Sequence, residues 1–377
     1  MTLSIIDSHQ IGLDSTLKLD PSVSNYVAAF SQDSRDMISN VDSHMKLLVD
    51  ENTCLPISIN NTEYDNSYVC SPYTALISYA FQESDKINNP VIRGIIKSIN
   101  TPLGNYLKHN QINKIICINN WMLSTNLYPA SWQGDNLAEI ISILTSSNPN
   151  HSIMFRSLNK YTNKPLIDSL THHGFLLVPS RQVYIYDQQH SINQTRDYKK
   201  DIKLLKTTPF QYVPPDQIIS EDIPRITELY RMLYINKYSI HNPLFSESYI
   251  SMLLQNDLFH AEGFRNSDGV LDAIGIRFTR DGVTSVPVVG YDTSRPQSLG
   301  LYRLINISTS KWVYENNILF NASSGASKFK MFRGASPYIE YSAIYINHLP
   351  KSVQRMWKGL ALALEHLIVP IMKKYQL

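Results

Sequence analysis

Cysteine is scarce in this chain: there are three in 377 residues, Cys54, Cys70 and Cys117, at irregular spacing. That excludes a disulfide framework and a CxxC metal site, and makes a reduced, cytoplasmic protein the expectation. Long apolar runs are missing too. No stretch of about 18 uncharged apolar residues occurs, so no segment is expected to span a membrane. The first twenty residues lack the basic start and apolar run of a secretory signal. An excess of one charge is also absent. The 34 Lys and Arg face 32 Asp and Glu, a formal +2, which leaves no global field for duplex DNA or an anionic membrane, although a local basic groove is compatible with that total. No HExxH, CxxC, EF-hand or Walker pattern is present, so metal and nucleoside triphosphate chemistry have no support.

What is present is an ordinary folded composition, 43% apolar, 18% charged and 10% aromatic. At roughly 150 residues per domain the length suggests two domains. Residues 1–50 are rich in Ser and Asp and weakly periodic, which reads as a helical or loosely ordered lead-in with an amphipathic segment near 41–49. From Leu55 onward short apolar runs alternate with helical patterns, the mark of an α/β or α+β chain.

The second half parses most cleanly. Ser220, Glu221 and Asp222 precede Pro224, and Ile226, Leu229, Tyr230, Leu233 and Tyr234 fall at helical spacing, so a helix is expected up to Asn242-Pro243. A second helix starts at Ser246 or Ser248. Asp268-Gly269 and Asp281-Gly282 then separate three β-rich runs, 258–265, 270–279 and 283–290, as hairpin turns do. A helix over 299–317, a strand over 318–322, a helical turn over 327–333 and an alternating strand over 338–346 complete the order. In the first half, 114–123, 152–158 and 175–186 read as strands and 135–145 and 165–173 as helices, a worn copy of the same plan. Trp357, Leu360, Ala361, Leu364, Ile368 and Ile371 make 349–374 an amphipathic helix that Pro370 should kink or end.

The order helix, helix, three-strand meander, helix, strand, short helix, strand resembles the acyl-CoA N-acyltransferase (GNAT) superfamily over residues 219–349. Val289-Gly290-Tyr291-Asp292 followed by Gln297-Ser298-Leu299-Gly300-Leu301-Tyr302 is similar to its phosphate loop, Q/R-x-x-G-x-G/A, with Tyr302 where a small residue is usual. Gly290-Tyr291-Asp292, Gly300-Leu301-Tyr302-Arg303 and the strand before Phe329-Lys330 resemble the Fem-type branch, which pairs two such domains. The implied fold is α/β (α+β): two tandem GNAT-like lobes with mixed, largely antiparallel central sheets, plus a C-terminal amphipathic helix. The implied division is a lead-in at 1–50, a degenerate lobe at 51–195, a catalytic lobe at 210–350 and the helix at 351–377.

The activity that the resemblance implies is transfer of an acyl group from a thioester, acyl-coenzyme A or an acyl-carrier protein, to an amine of a small molecule or peptide. Coenzyme A is then a co-substrate rather than a bound cofactor. Aminoacyl-tRNA is an alternative donor, and a non-catalytic module that kept the fold to bind a ligand or partner is the rival from another class. A monomer and a homodimer both fit.

Each candidate residue has a structural reading beside the chemical one. Gln297, Ser298, Leu299, Gly300, Leu301 and Tyr302 would offer backbone N–H groups and a helix N-terminus to a pyrophosphate, with Arg295 and Arg303 adding charge; the same letters also spell a helix start that binds nothing. A main-chain N–H near Gly290 and Tyr291 would meet the oxyanion. Tyr291 and Asp292 stand at a strand end from which side chains reach the thioester carbon. Asp292 is the first choice to take the ammonium proton, but a strand-end Asp equally caps a turn. Glu340 is the second choice if its face of the strand lines the cleft, and otherwise a partner of Lys330 or Arg333. His241 lies in the turn that covers the acceptor in this fold, with Lys237, Tyr238 and Asn242 beside it as acceptor contacts. Lys328, Lys330 and Arg333 are contacts for a phosphate, a carboxylate or transfer RNA, or a solvated face. Gly300 has no counterpart near Tyr128, so only the second lobe is expected to hold coenzyme. Cys70-Ser71-Pro72 reads as a helix cap rather than a nucleophile.

Overall fold

The computed structural model describes residues 3–12, 19–79, 81–82, 90–187 and 195–376. Its strands are β1 (Ser4–Asp7), β2 (His44–Val49), β3 (Cys54–Asn60), β4 (Ile115–Ile118), β5 (Ser152–Asn159), β6 (Leu176–Tyr186), β7 (Gln211–Val213), β8 (Phe259–Arg265), β9 (Leu271–Arg280), β10 (Val283–Tyr291), β11 (Leu319–Asn321) and β12 (Ser336–Tyr345). They form one 12-stranded sheet in the order β1-β2-β3-β4-β5-β12-β6-β11-β10-β9-β8-β7. Counted inward from either end the order is the same with every strand shifted by six, so β1 corresponds to β7, β5 to β11 and β12 to β6. Among the described residues the two parallel pairs also fall at matching places, β4 with β5 and β10 with β11. The sequence implied two sheets; the structure fuses them, because β12 inserts between β5 and β6 and each half borrows the last strand of the other.

The helices are α1 (Pro21–Ala28), α2 (Ser34–Met37), α3 (Pro90–His109), α4 (Leu137–Ser147), α5 (Lys164–His172), α6 (Arg196–Thr207), α7 (Ile223–Tyr230), α8 (Glu247–Leu254), α9 (Leu301–Glu315), α10 (Ser327–Met331), α11 (Lys351–Ala363) and α12 (Val369–Tyr375). Their starts follow from the local sequence. Asp20 accepts the N–H of Ser22 ahead of Pro21, Thr195 that of Tyr198 and Ser246 that of Tyr249, each satisfying a donor that the first turn leaves bare. Ser71 Oγ likewise accepts from Thr74 N at 3.0 Å, and Cys70 is buried with its thiol pushed up to about 12 by burial, so the cap reading of that tripeptide holds.

The described residues within 1–50 include the helices α1 and α2, in keeping with a helical lead-in, but they also supply β1 and β2 of the sheet. The segment near 41–49 is a strand because its apolar residues alternate between two cores, Met45, Leu47 and Val49 in one and Leu48 in the other. The strand expected over 114–123 stops at Ile118, where Asn119 and Met122 take positive φ and turn the chain into the interior. There α1 and α2 meet α7 and α8 in one shared core. Tyr26 and Tyr249 both donate their hydroxyls to the Trp121 carbonyl, and Phe245 stacks on Tyr249 at 4.4 Å. Trp121 is wholly buried, and truncating such a residue to Ala costs about 3–5 kcal/mol. The two halves are therefore packed as one body.

Candidate functional site

β10 and β11 run side by side only at Val283↔Leu319 and Thr284↔Phe320. β11 then pairs with β6, while among the described residues β10 continues to Tyr291 along β9 alone. A bulge between Ser285 and Val288 marks the parting, and Pro287, which has no N–H to give, sits inside it. Asp292 donates its N–H to the Asp272 carbonyl at 2.8 Å. Antiparallel alternation then turns Val288 and Gly290 toward β9 and leaves the N–H and C=O of Val289 and Tyr291 facing the open edge. In the first half the matching place is filled by the chain itself, since Trp121, Met122 and Leu123 are fully buried just beyond β4.

Tyr291 ends the open edge. Its hydroxyl accepts a hydrogen bond from Lys237 Nζ at 3.0 Å, which raises the Lys237 ammonium above its usual 10.5. Its ring lies 6.3 Å from that of Tyr302, which lies 5.0 Å from Phe329. Lys237, Tyr291 and Tyr302 are thus brought together, with Tyr238 half in solvent beside them. Gly290 is required by packing: a Cβ there would stand 2.6 Å from the backbone of Leu229 and Tyr230 in α7.

The loop read as a phosphate site has its charges already engaged. Arg295 Nε lies 2.9 Å from Asp272 Oδ2, and Arg303 Nη2 lies 2.5 Å from Asp201 Oδ1. Gly300 adopts φ +70° and would place a Cβ 2.8 Å from Leu204 Cδ2 of α6, so backbone conformation and helix packing explain its identity. Leu301 is buried and Tyr302 packs in the same apolar cluster, which leaves Gln297, Ser298 and Leu299 as the short 3-10 turn before α9. Among the described residues no side chain caps α9.

Asp292 takes the turn role. Its Oδ1 accepts from Ser294 N and Oγ, and its Oδ2 lies 2.8 Å from Arg225 Nη2. Burial alone would raise its pKa; the Ser294 bonds and the Arg225 guanidinium outweigh that and hold it below the usual carboxylate value. Glu340 is buried in mid-sheet, and its partner is Arg181, Nε to Oε1 at 2.8 Å, rather than Lys330 or Arg333. Arg333 instead reaches Asp201 Oδ2 at 2.6 Å. Lys330 is buried with its Nζ donating to the carbonyls of Ala322, Ser323 and Ser324 at 2.6, 3.2 and 2.8 Å; burial, with Arg181 nearby, pushes it down to about 7. Lys328 is exposed.

His241 sits in a loop fixed from the first half. Its carbonyl accepts from Ser67 Oγ at 2.8 Å, and burial lowers its imidazole below 6.5. Asn242 is a structural residue, its Nδ2 donating to the carbonyls of Tyr234 and Ser239. Sequence reasoning missed Asp201, Asp272, Arg181 and Arg225. For Asp201 a signal existed in the helical spacing of Tyr198, Ile202 and Leu205 behind Thr195. Among the described residues no group of three His, Cys, Asp or Glu is placed to hold a metal ion.

No protein-family model matches the chain, and no curated protein does. Solved structures do. The C-terminal domain of a putative lysylphosphatidylglycerol synthetase from Agrobacterium fabrum aligns over 95% of this chain and 96% of its own at 9% identity, TM-score 0.50. FemX covers 60% of this chain and 78% of its own at 8% identity, TM-score 0.43. A tandem GNAT protein from the clavulanic acid biosynthesis pathway covers 91% and 98% at 6% identity, TM-score 0.38. Likeness at such identities is likeness of fold. The mixed α/β fold with a largely antiparallel sheet, in two halves of the same strand order, is the architecture expected from the sequence.

Proposed function

We propose that this protein is an acyltransferase whose active half is the lobe at 210–350, with the lobe at 51–195 acting as its support. The observation that carries the reading is the unpaired edge of β10. The pantetheine arm of a thioester is an extended chain with two amides, and it can lie along Val289 and Tyr291 as an added strand. The N–H of Tyr291 then faces the thioester oxygen and stabilises the charge that develops on it. The amine attacks the carbonyl carbon, the C–N bond forms as the C–S bond breaks, the departing sulfur takes the proton of the Tyr291 hydroxyl that Lys237 Nζ orients, and the proton that nitrogen sheds as the amide forms returns to the Tyr291 oxygen through water. Asp292 and Glu340 are held in ion pairs, so the ammonium proton goes to water, with His241 as the other acceptor.

Coenzyme A is a co-substrate in this scheme, and the acceptor is an amine of a small molecule or peptide. The internal pairing of Arg295 and Arg303 supports a second donor class, a carrier-protein thioester or an aminoacyl-tRNA, which does not rely on pyrophosphate contacts in that loop. A cytoplasmic location accords with both. The test is release of free thiol from acyl-coenzyme A and from acyl-carrier protein in the presence of mixed amines. Tyr291→Phe should lower kcat/KM about 10²-fold or more with thioester affinity kept. Thioester binding without release in the unaltered protein would make it a binding module instead.

A further inference from the structure

The helical run from Lys351 to Tyr375 is apolar on two sides. Met356, Trp357, Ala361 and Val369 are buried inward. Leu362, Leu367, Ile371 and Tyr375 are exposed, at 61%, 64%, 36% and 56%. They form one stripe: the wide turn over Leu364–Ile368 takes up the step of five from Leu362 to Leu367, and the following steps of four keep to the same face. Cations flank it. Lys351, Arg355, Lys358, Lys373 and Lys374 stand against a single acid, Glu365. α3 shares the core under this run through Leu103 and Leu107, and it carries Arg93, Lys97 and Lys108 with no acid. These two stretches hold eight Lys or Arg and one acid, while the rest of the chain has five more acids than bases. The near-neutral total conceals two basic stretches.

We propose that the outer face of α11 and α12 rests on an anionic lipid surface, with the Leu362–Leu367–Ile371 stripe in the headgroup boundary and the lysines beside it meeting lipid phosphates. The stripe alone would suit a second copy of the chain, but two copies meeting on this face would bring like charges together, whereas an anionic bilayer complements them. No described helix is long and apolar enough to cross a membrane, so the run lies on the surface.

The experiment is co-sedimentation of the full chain with vesicles of phosphatidylcholine alone and of phosphatidylcholine with phosphatidylglycerol in equal parts. Binding to the anionic vesicles should be at least about tenfold tighter and should weaken with salt, each lysine contributing about fivefold. A Leu362→Gln, Leu367→Gln, Ile371→Gln variant should lose that binding with an unchanged Tm, and Lys373→Gln with Lys374→Gln should weaken it about 25-fold. Equal binding to both vesicles, unchanged binding by either variant, or a dimer in solution that the triple variant makes monomeric would each overturn the proposal.

Discussion

The Arg303 guanidinium reaches one oxygen of Asp201 at 2.5 Å, and that carboxylate, wholly buried in α6, holds Arg333 on its other oxygen at 2.6 Å. A helix between the two halves thus neutralises a cation that the loop before α9 would otherwise offer to a phosphate. Asp201→Asn leaves two guanidinium groups without their counter-charge, and the expected cost is about 3–5 kcal/mol in urea unfolding. A loss below about 1 kcal/mol together with tighter coenzyme binding would mean that Arg303 is free to serve the phosphate.

Gly300 makes a related point. Its φ of +70° costs a residue with a side chain about 1–2 kcal/mol. The Leu204 methyl 2.8 Å from a Cβ must move as well, though as the end of a flexible side chain it can. Gly300→Ala should therefore lower stability by about 1–2 kcal/mol with or without ligand, read from thermal unfolding with coenzyme A absent and present. An unchanged Tm with lost coenzyme affinity would return the glycine to phosphate binding.

Asp292 separates turn chemistry from base chemistry. As the Ser294 cap and Arg225 partner it is already satisfied, so Asp292→Asn should reduce kcat/KM by less than about tenfold, well short of the 10²–10⁴ of a lost general base. Its folded pKa lies below the ordinary 3.8. The stability it contributes is therefore present above that value and lost as pH falls through the folded pKa. Acid unfolding of the wild type should show this loss and the Asn variant should not.

The second half was legible because its periodicities are clean: the Asp-Gly turns at 268–269 and 281–282 and the Ser246 cap all stand where the hydrophobic pattern placed them. The strand at 44–49 was not, because Leu47, Leu48 and Val49, which face two different cores, show a run rather than an alternation. The fusion of the two sheets was invisible for a different reason: β12 and β6 are neighbours only through pairing across about 160 residues, which no local pattern carries. The same holds for the site. Tyr291 and Lys237 were both named, but the partners that decide what the charged residues do, Asp201, Asp272 and Arg181, come from distant elements. A charge in a sequence shows its sign and leaves its partner open.

Lys330 carries the last prediction. Three carbonyls accept from its ammonium at the sheet centre, yet burial and the neighbouring Arg181 push its pKa from 10.5 down to about 7. Between those values the unfolded chain binds the proton and the folded chain has released it, so unfolding takes up a proton and stability rises with pH. The penalty for burying the charge is fully present below about 7 and is relieved as pH approaches 10.5. Lys330→Met removes the titration. Wild-type stability measured in urea should therefore climb relative to the Met variant from pH 7 to pH 10, and the Met variant, lacking the amine N–H groups that tie 322–324 to α10, should be the less stable of the two at the alkaline end. Parallel stability curves for the two proteins over that range would show that the three carbonyls keep Lys330 protonated throughout it.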